Sequence, residues 1–243
     1  MTEAEWLAGA DFEWLFDGLE EMAPPSQRKL RLFEVACCQR FADRMPEPVL
    51  VNALDVAERF ADDLATRAEL AAVHEAARDL EDESAMPSGD FSVGDAVHFG
   101  AKAVVSATSP DAADYHAGTY QVIESVIAAL IYAHGSIQTK GLSDWVAFEE
   151  RVRESERKSF LALVHDSFGN PFRPVTLDPH WQSETVVALA AGIYDERAFD
   201  RMPILADALE EAGCDHADVL AHCRGDGPHV RGCWVVDLVL GKS

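Results

Sequence analysis

"SQRKLRLFEVACCQRFADRM", residues 26–45, decides the fold class. Leu30, Phe33, Cys37 and Phe41 recur at spacings of three and four with charged residues between them, which places one apolar stripe on an amphipathic helix. Pro46 and Pro48 stop that helix, and Pro48 suits the first position of the next one, where its missing N–H is no loss. The following stripe runs through Leu50, Leu54, Ala57, Phe60 or Ala61, and Leu64; a further helix carries Leu70, Val73, Ala77 and Leu80. Thr2 with Glu5, and Thr66 with Glu69, have the spacing of capping boxes, in which each side chain satisfies the free amide at the other position, so helices should start near both.

The helical period continues into the second half. "TYQVIESVIAALIYAHG", residues 119–135, is apolar on nearly every side and reads as a central buried helix closed by Gly135. Ser143 opens a long charged helix with Trp145, Phe148, Val152, Phe160, Leu163 and Val164 on its inner face. Residues 84–95 read as a surface loop. "DSFGNPFRPVTLDPHW", residues 166–181, combines a glycine, three prolines and aromatic side chains, which predicts a loop strapped across the core. Helices then resume over 183–194, 200–211, 215–224 and 228–240, with Ser183, Asp200 and Asp215 as capping residues. The expectation is an all-α fold: a single compact multi-helix domain of about ten to twelve helices spanning residues 1–243, without the fixed period of a solenoid.

Charge narrows the function classes. With 43 acidic residues against 20 basic ones the formal net charge is −23, a field that repels phosphate backbones, so nucleic acid is not an expected partner. Basic residues gather at Arg28-Lys29-Arg31 and between Arg151 and Lys158, the latter interleaved with glutamate as on a solvated helix face. The longest uninterrupted apolar run, Val126 to Ala133, is eight residues, against the roughly 18–20 that a bilayer requires. The start, "MTEAEWLAG", lacks the basic and apolar regions of a secretory signal. Five cysteines, two of them adjacent at Cys37-Cys38, do not form the even pattern of a secreted disulfide framework. A soluble, cytoplasmic protein with reduced thiols and no membrane association is expected.

Several stretches together carry a resemblance: "MTEAEWLAG", "RKLRLFEVACCQRF", "VAERFADDLA", "DSFGNPFRPVTLDPHW" and "YDERAFDRMPILADALEEAGCDHADVLAHCRGDGPHVRGCWVVDLVLGK". In these the chain resembles a planctomycete-type bacterial family of uncharacterised proteins that occur as many paralogues. The resemblance covers roughly the first 65 residues and the last 80. Residues 80–150 lack the alanine- and tryptophan-rich repeats of many members. It implies a shared scaffold and carries over no catalytic residue.

Chemistry concentrates in "AHCRGDGPHVRGCWVVD", residues 221–237. If Pro228 opens a helix, His229, Cys233 and Asp237 lie at i, i+4 and i+8 on one face. Four readings compete. Cys223, His222, His229 and Cys233, with Cys37 or Cys38 as further donors, offer the thiolate and imidazole ligands that suit zinc, although no C-x-x-C or H-x-x-x-H pair is present. Cys233 as nucleophile would need an imidazole base, His229 or the better-placed His222 on the neighbouring helix, with Asp237 orienting it. Arg224, Arg231 and the free amides of a helix start favour an anion, opposed by Asp226 in the same turn. The fourth reading is packing: cysteines as small core fillers, Gly225 and Gly227 forming a turn, and Trp234, Val235, Leu238 and Val239 anchoring the last helix. Packing ranks first, since burial is the commonest fate of such residues. His116, His134 and His165 are isolated elsewhere.

No phosphate-cradling glycine loop, dinucleotide fingerprint or H-E-x-x-H pair is present, so no cofactor is expected other than zinc in the alternative below. The leading expectation is a non-catalytic helical protein-interaction or regulatory module whose partner is another protein. The alternative is a thiol- or zinc-dependent enzyme using the C-terminal His/Cys cluster.

Overall fold

The computed structural model describes residues 1–9, 11–44, 47–84, 93–110, 115–135 and 142–242. Every regular element among them is helical. The first eight helices are α1 (Glu3–Ala8), α2 (Phe12–Met22), α3 (Gln27–Ala42), α4 (Pro48–Ala61), α5 (Arg67–Ser84), α6 (Val93–Ala107), α7 (Tyr115–Gly135) and α8 (Leu142–Phe168). Four more follow: α9 (Glu184–Glu196), α10 (Met202–Glu211), α11 (Ala217–Arg224) and α12 (Trp234–Leu240), with short 3-10 turns at Pro179–Trp181 and Phe199–Arg201. The fold is all-α, as the periodicity predicts.

Local signals place most of these elements. The Thr2 side chain accepts from Glu5 N while the Glu5 carboxylate accepts from Thr2 N, and Thr66 and Glu69 repeat the arrangement ahead of α5. Ser26 caps α3 by accepting from Lys29 N, Pro48 opens α4, and Ser183 caps α9 by accepting from Val186 N. The α3 stripe of Leu30, Phe33, Cys37 and Phe41 is fully inside. α7 packs against α2, α3, α6 and α8, and it buries Val122, Ile123, Val126, Ile127 and Leu130. The close approach of α6 to α3 depends on Gly100, where an added Cβ would meet the Phe41 ring at 2.1 Å.

Other expectations are corrected. Leu64 is 66% exposed, because α4 ends at Ala61 and Asp63 turns the chain into the left-handed region at φ 59°. Asp200 lies within a 3-10 turn and Asp215 precedes the cap; Arg201 and His216 hold the N-cap positions of α10 and α11, and neither makes a side-chain cap. The surface loop read over residues 84–95 lies mostly outside the described residues, and α6 is already formed at Val93. The loop read over 166–181 starts later, because α8 continues through Asp166 to Phe168 and ends at Gly169, φ 65°. Its remaining residues lie across both apolar cores: Phe172 packs on the first, Val175 and Leu177 on the second.

The two cores divide the chain. One gathers α1 to α8 around Trp6, Phe16, Phe33, Phe41, Ile123 and Phe160; the other gathers the later helices around Val186, Ile193, Met202, Leu205, Val235 and Val236. α12 packs on α8 and α9, so the last helix sits where the two cores meet. That junction holds the candidate site.

Candidate functional site

The helix expected from Pro228 does not begin there. Residues 225–233 form a loop with a cis Gly227–Pro228 bond, and α12 starts at Trp234 with Cys233 as its N-cap. Two features account for this. Gly232 adopts φ 90°, outside the helical region, and lies so close to α3 that a Cβ would meet Leu32 Cβ at 3.2 Å. The Val230 N–H, which would be an unpaired first-turn amide in a helix begun at Pro228, donates to Asp166 Oδ2 at 3.0 Å and ties the loop to α8. A carboxylate on α8 thus draws the segment across the junction.

His229, Cys233 and Asp237 therefore do not share a helix face. Asp237 lies apart, with its carboxylate on Lys29 Nζ at 2.6 Å and on both terminal nitrogens of Arg28 at 3.0 and 3.2 Å. It cannot orient His229. That place is taken by Asp166, in the last turn of α8, whose Oδ1 accepts from His229 Nδ1 at 2.7 Å and lies 3.1 Å from His222 Nε2. His222 Nε2 is also 3.2 Å from Cys233 Sγ. Asp166, His222, His229 and Cys233 offer four ligand atoms, all within 4.8 Å of one another. Three of the four are candidates in the sequence; the fourth, Asp166, is not among them.

Electrostatics follow from burial and pairing. Burial alone would push the Asp166 carboxyl up, but hydrogen bonds from His222 and His229 outweigh it and hold it below the usual aspartate value. For His229, burial disfavours the imidazolium, yet the hydrogen bond and charge of Asp166 raise its pKa overall. The other nitrogen of His229, Nε2, is buried and makes no hydrogen bond. Cys233 is fully buried, and burial followed by the Asp166 charge pushes its thiol well up. A thiol in that state is not the lowered-pKa nucleophile the catalytic reading needs.

The remaining candidates separate from this cluster. Cys223 belongs to the second core, and its thiol is pushed up to about 12, mainly by burial. Cys37 and Cys38 lie inside the first core. Arg224 pairs with Asp207 and Glu210 at the surface. Arg231 donates to the Tyr194 carbonyl, reaches Glu58 at 3.0 Å and lies over the Tyr194 ring. Both guanidiniums of the anion reading thus already have carboxylate partners. The side chains of His116 and His134 lie outside the described residues, while His165 faces the Trp6 carbonyl.

Beside the cluster runs a seam of buried ion pairs that sequence reasoning did not anticipate. Glu58 of α4 and Asp62, just past its end, meet Arg28, Lys242, Arg197 and Arg231, and the Tyr194 hydroxyl donates to Asp62 at 2.5 Å. The basic group Arg28-Lys29-Arg31 is accordingly consumed inside the molecule, Arg31 donating to the carbonyls of Ala107 and Ser109. The available signal was a row of charges on otherwise apolar stripes: Glu58 sits next to Ala57 on α4, and Asp166 three residues beyond Leu163 on α8. Both carboxylates need partners when buried. No helix among the described residues is long and apolar enough to cross a membrane. No protein-family model, curated protein or solved structure matches the chain, so the geometry of the junction alone carries the functional reading.

Proposed function

We propose that the chain is a non-catalytic, cytoplasmic, α-helical protein-interaction module. The observation that carries this reading is the placement of its reactive groups. All five cysteines are free and buried, and burial is the leading cause that raises each thiol above its ordinary value. Free interior thiols also accord with a reducing compartment. A groove of about 680 Å³ between α1, the loop after α8, α11 and α12 supplies a docking surface, lined in part by Leu7, Met22, Val175, Trp234 and Leu238. Leu7 at its edge is 53% exposed. An acidic chain of net charge −23 favours a partner with excess positive charge and repels nucleic acid.

A tagged full-length chain should retain one partner whose cross-links map to this groove, and Leu7→Asp, at an exposed position, should release it without loss of helicity. Failure to retain any partner, together with turnover of a small substrate, overturns the reading. The second reading, a thiol- or zinc-dependent enzyme, is favoured by the convergence of His222, His229, Asp166 and Cys233. It is weakened by the closed setting of Cys233 and Asp166, which leaves no exposed nucleophile in the cluster.

A further inference from the structure

Four donors of different chemistry converge from three separate stretches of chain: Asp166 from the last turn of α8, His222 from the last turn of α11, and His229 and Cys233 from the loop that leads into α12. We propose that Asp166 Oδ1, His222 Nε2, His229 Nδ1 and Cys233 Sγ form a four-coordinate site for a divalent transition metal of the zinc class, which fastens the C-terminal helices to α8.

The distances fit this occupant. Metal–ligand bonds of about 2.0–2.3 Å in a tetrahedron separate the donors by roughly 3.3–3.6 Å. The contacts here are 2.7 Å for Asp166–His229, 3.1 Å for Asp166–His222 and 3.2 Å for His222–Cys233. The two His222 contacts need to open by only a few tenths of an ångström and Asp166–His229 by about 0.6 Å, while the widest pair, at no more than 4.8 Å, closes. Hydrogen bonding alone serves the four atoms poorly. His222 Nε2 faces both the Asp166 oxygen and the Cys233 sulfur, but one ring nitrogen has a single proton to give. A cation at the centre gives each atom its own bond.

Charge and softness agree. One carboxylate, one thiolate and two neutral imidazoles balance a dication, so the loaded site is neutral in a place where Asp166 and Cys233 are almost wholly buried. Binding expels the Cys233 thiol proton to solvent, as a coordinating thiol is deprotonated. Sulfur and nitrogen donors favour zinc over calcium or magnesium, which take oxygen ligands. Asp166 Oδ2 is held by the Val230 N–H, which turns Oδ1 toward the other donors. Four protein ligands and little exposure make a closed, structural shell. The set differs from the one read in the sequence by a single exchange, Asp166 for Cys223, whose thiol lies in the second core.

The test uses the full chain stripped with a chelator and titrated with cobalt(II), then with zinc. One cobalt per chain is expected, with the strong visible absorption of a tetrahedral site and a near-ultraviolet thiolate-to-cobalt charge-transfer band, both displaced by one equivalent of zinc. Cys233→Ser should abolish the charge-transfer band, Cys223→Ser should keep it, and His222→Gln, at a partly exposed ligand, should weaken binding at least tenfold with helicity retained. Absence of saturable binding by the unaltered chain, or a charge-transfer band that survives Cys233→Ser, overturns the proposal. The unaltered chain is decisive even where a variant fails to fold. Leu7→Asp should leave cobalt binding unchanged, so the site and the docking groove stand or fall separately.

Discussion

In the first core, Phe33 lies 5.4 Å from Phe16 and 5.3 Å from Phe168, ring centroid to ring centroid, within a set of fully buried large side chains that includes Trp6, Phe41 and Phe160. In the second, the fully buried large side chains are aliphatic, Ile193, Met202, Leu205 and Leu209, with Tyr194 and Trp181 slightly more exposed, and much of the rest is valine, alanine and cysteine. Each large apolar side chain that leaves water contributes about 1.5–3 kcal/mol, so the first core is held by area. The second has less area and is joined to the first through buried carboxylates: Asp166, Glu58, Asp62 and Asp237. Packing builds one half; charge pairing attaches the other. The difference is a division of labour between a non-directional force and a directional one.

The largest test strikes the first core. Phe33→Ala removes a fully buried ring and should cost about 4 kcal/mol, lowering the denaturation midpoint for the whole chain in both fluorescence and circular dichroism. A midpoint that does not move would show that the aromatic cluster is not what holds this half. Asp166→Ala attacks the junction, leaving His222, His229 and the Val230 amide without their acceptor, at a cost of about 3 kcal/mol. Hydrogen exchange should then speed up over α11 and α12 while α6 and α7 stay protected; uniform acceleration would mean the halves cannot open separately.

Glu34 provides the contrast inside the first core, where a charge has no place. Its carboxyl accepts from the Thr119 hydroxyl at 2.7 Å, but burial raises its pKa to about 7. The folded state therefore holds this proton more tightly than the unfolded state does, and stability falls as pH rises from the unfolded value of 4.5 through about 7. Glu34→Gln keeps the acceptor without the charge and should stabilise the protein by about 2–3 kcal/mol at pH 8 and hardly at all at pH 4. Equal gain at both pH values would refute the titration account. The smallest effect belongs to the surface: Arg224→Gln, which breaks exposed pairs with Asp207 and Glu210, should leave the denaturation midpoint unmoved in salt.

Legibility in the sequence follows the same division. Helix stripes and caps are local, so Leu30, Phe33, Cys37 and Phe41, the Thr2–Glu5 box and the Pro48 start could all be read from spacing. The junction is not local. Pro228 carries a helix-start signal, yet a carboxylate 64 residues away takes the Val230 amide, and Gly232 must approach Leu32 with a backbone no helix allows. His222, His229 and Cys233 were visible as a group because they are close in the chain. Asp166 was hidden because the prolines after Gly169 made the end of α8 look like loop. Asp237 was misassigned because helical phasing placed it beside His229, while its partners Arg28 and Lys29 lie near the other end of the sequence.

That separation orders events during synthesis. Arg28 and Asp237 are 209 residues apart, so at roughly 5–20 residues per second the cations of α3 wait on the order of 10–40 s for their last carboxylate to be made. Through that interval α3 can pack its aromatic face, but Lys29 has no Asp237 to meet. A ribosome-bound chain should therefore carry a formed first core with an open, hydrated seam, which closes once Asp237 has left the exit tunnel. The ion pair works as a late fastening: it can form only after α12 has been made, when the aromatic face of α3 has already had time to pack.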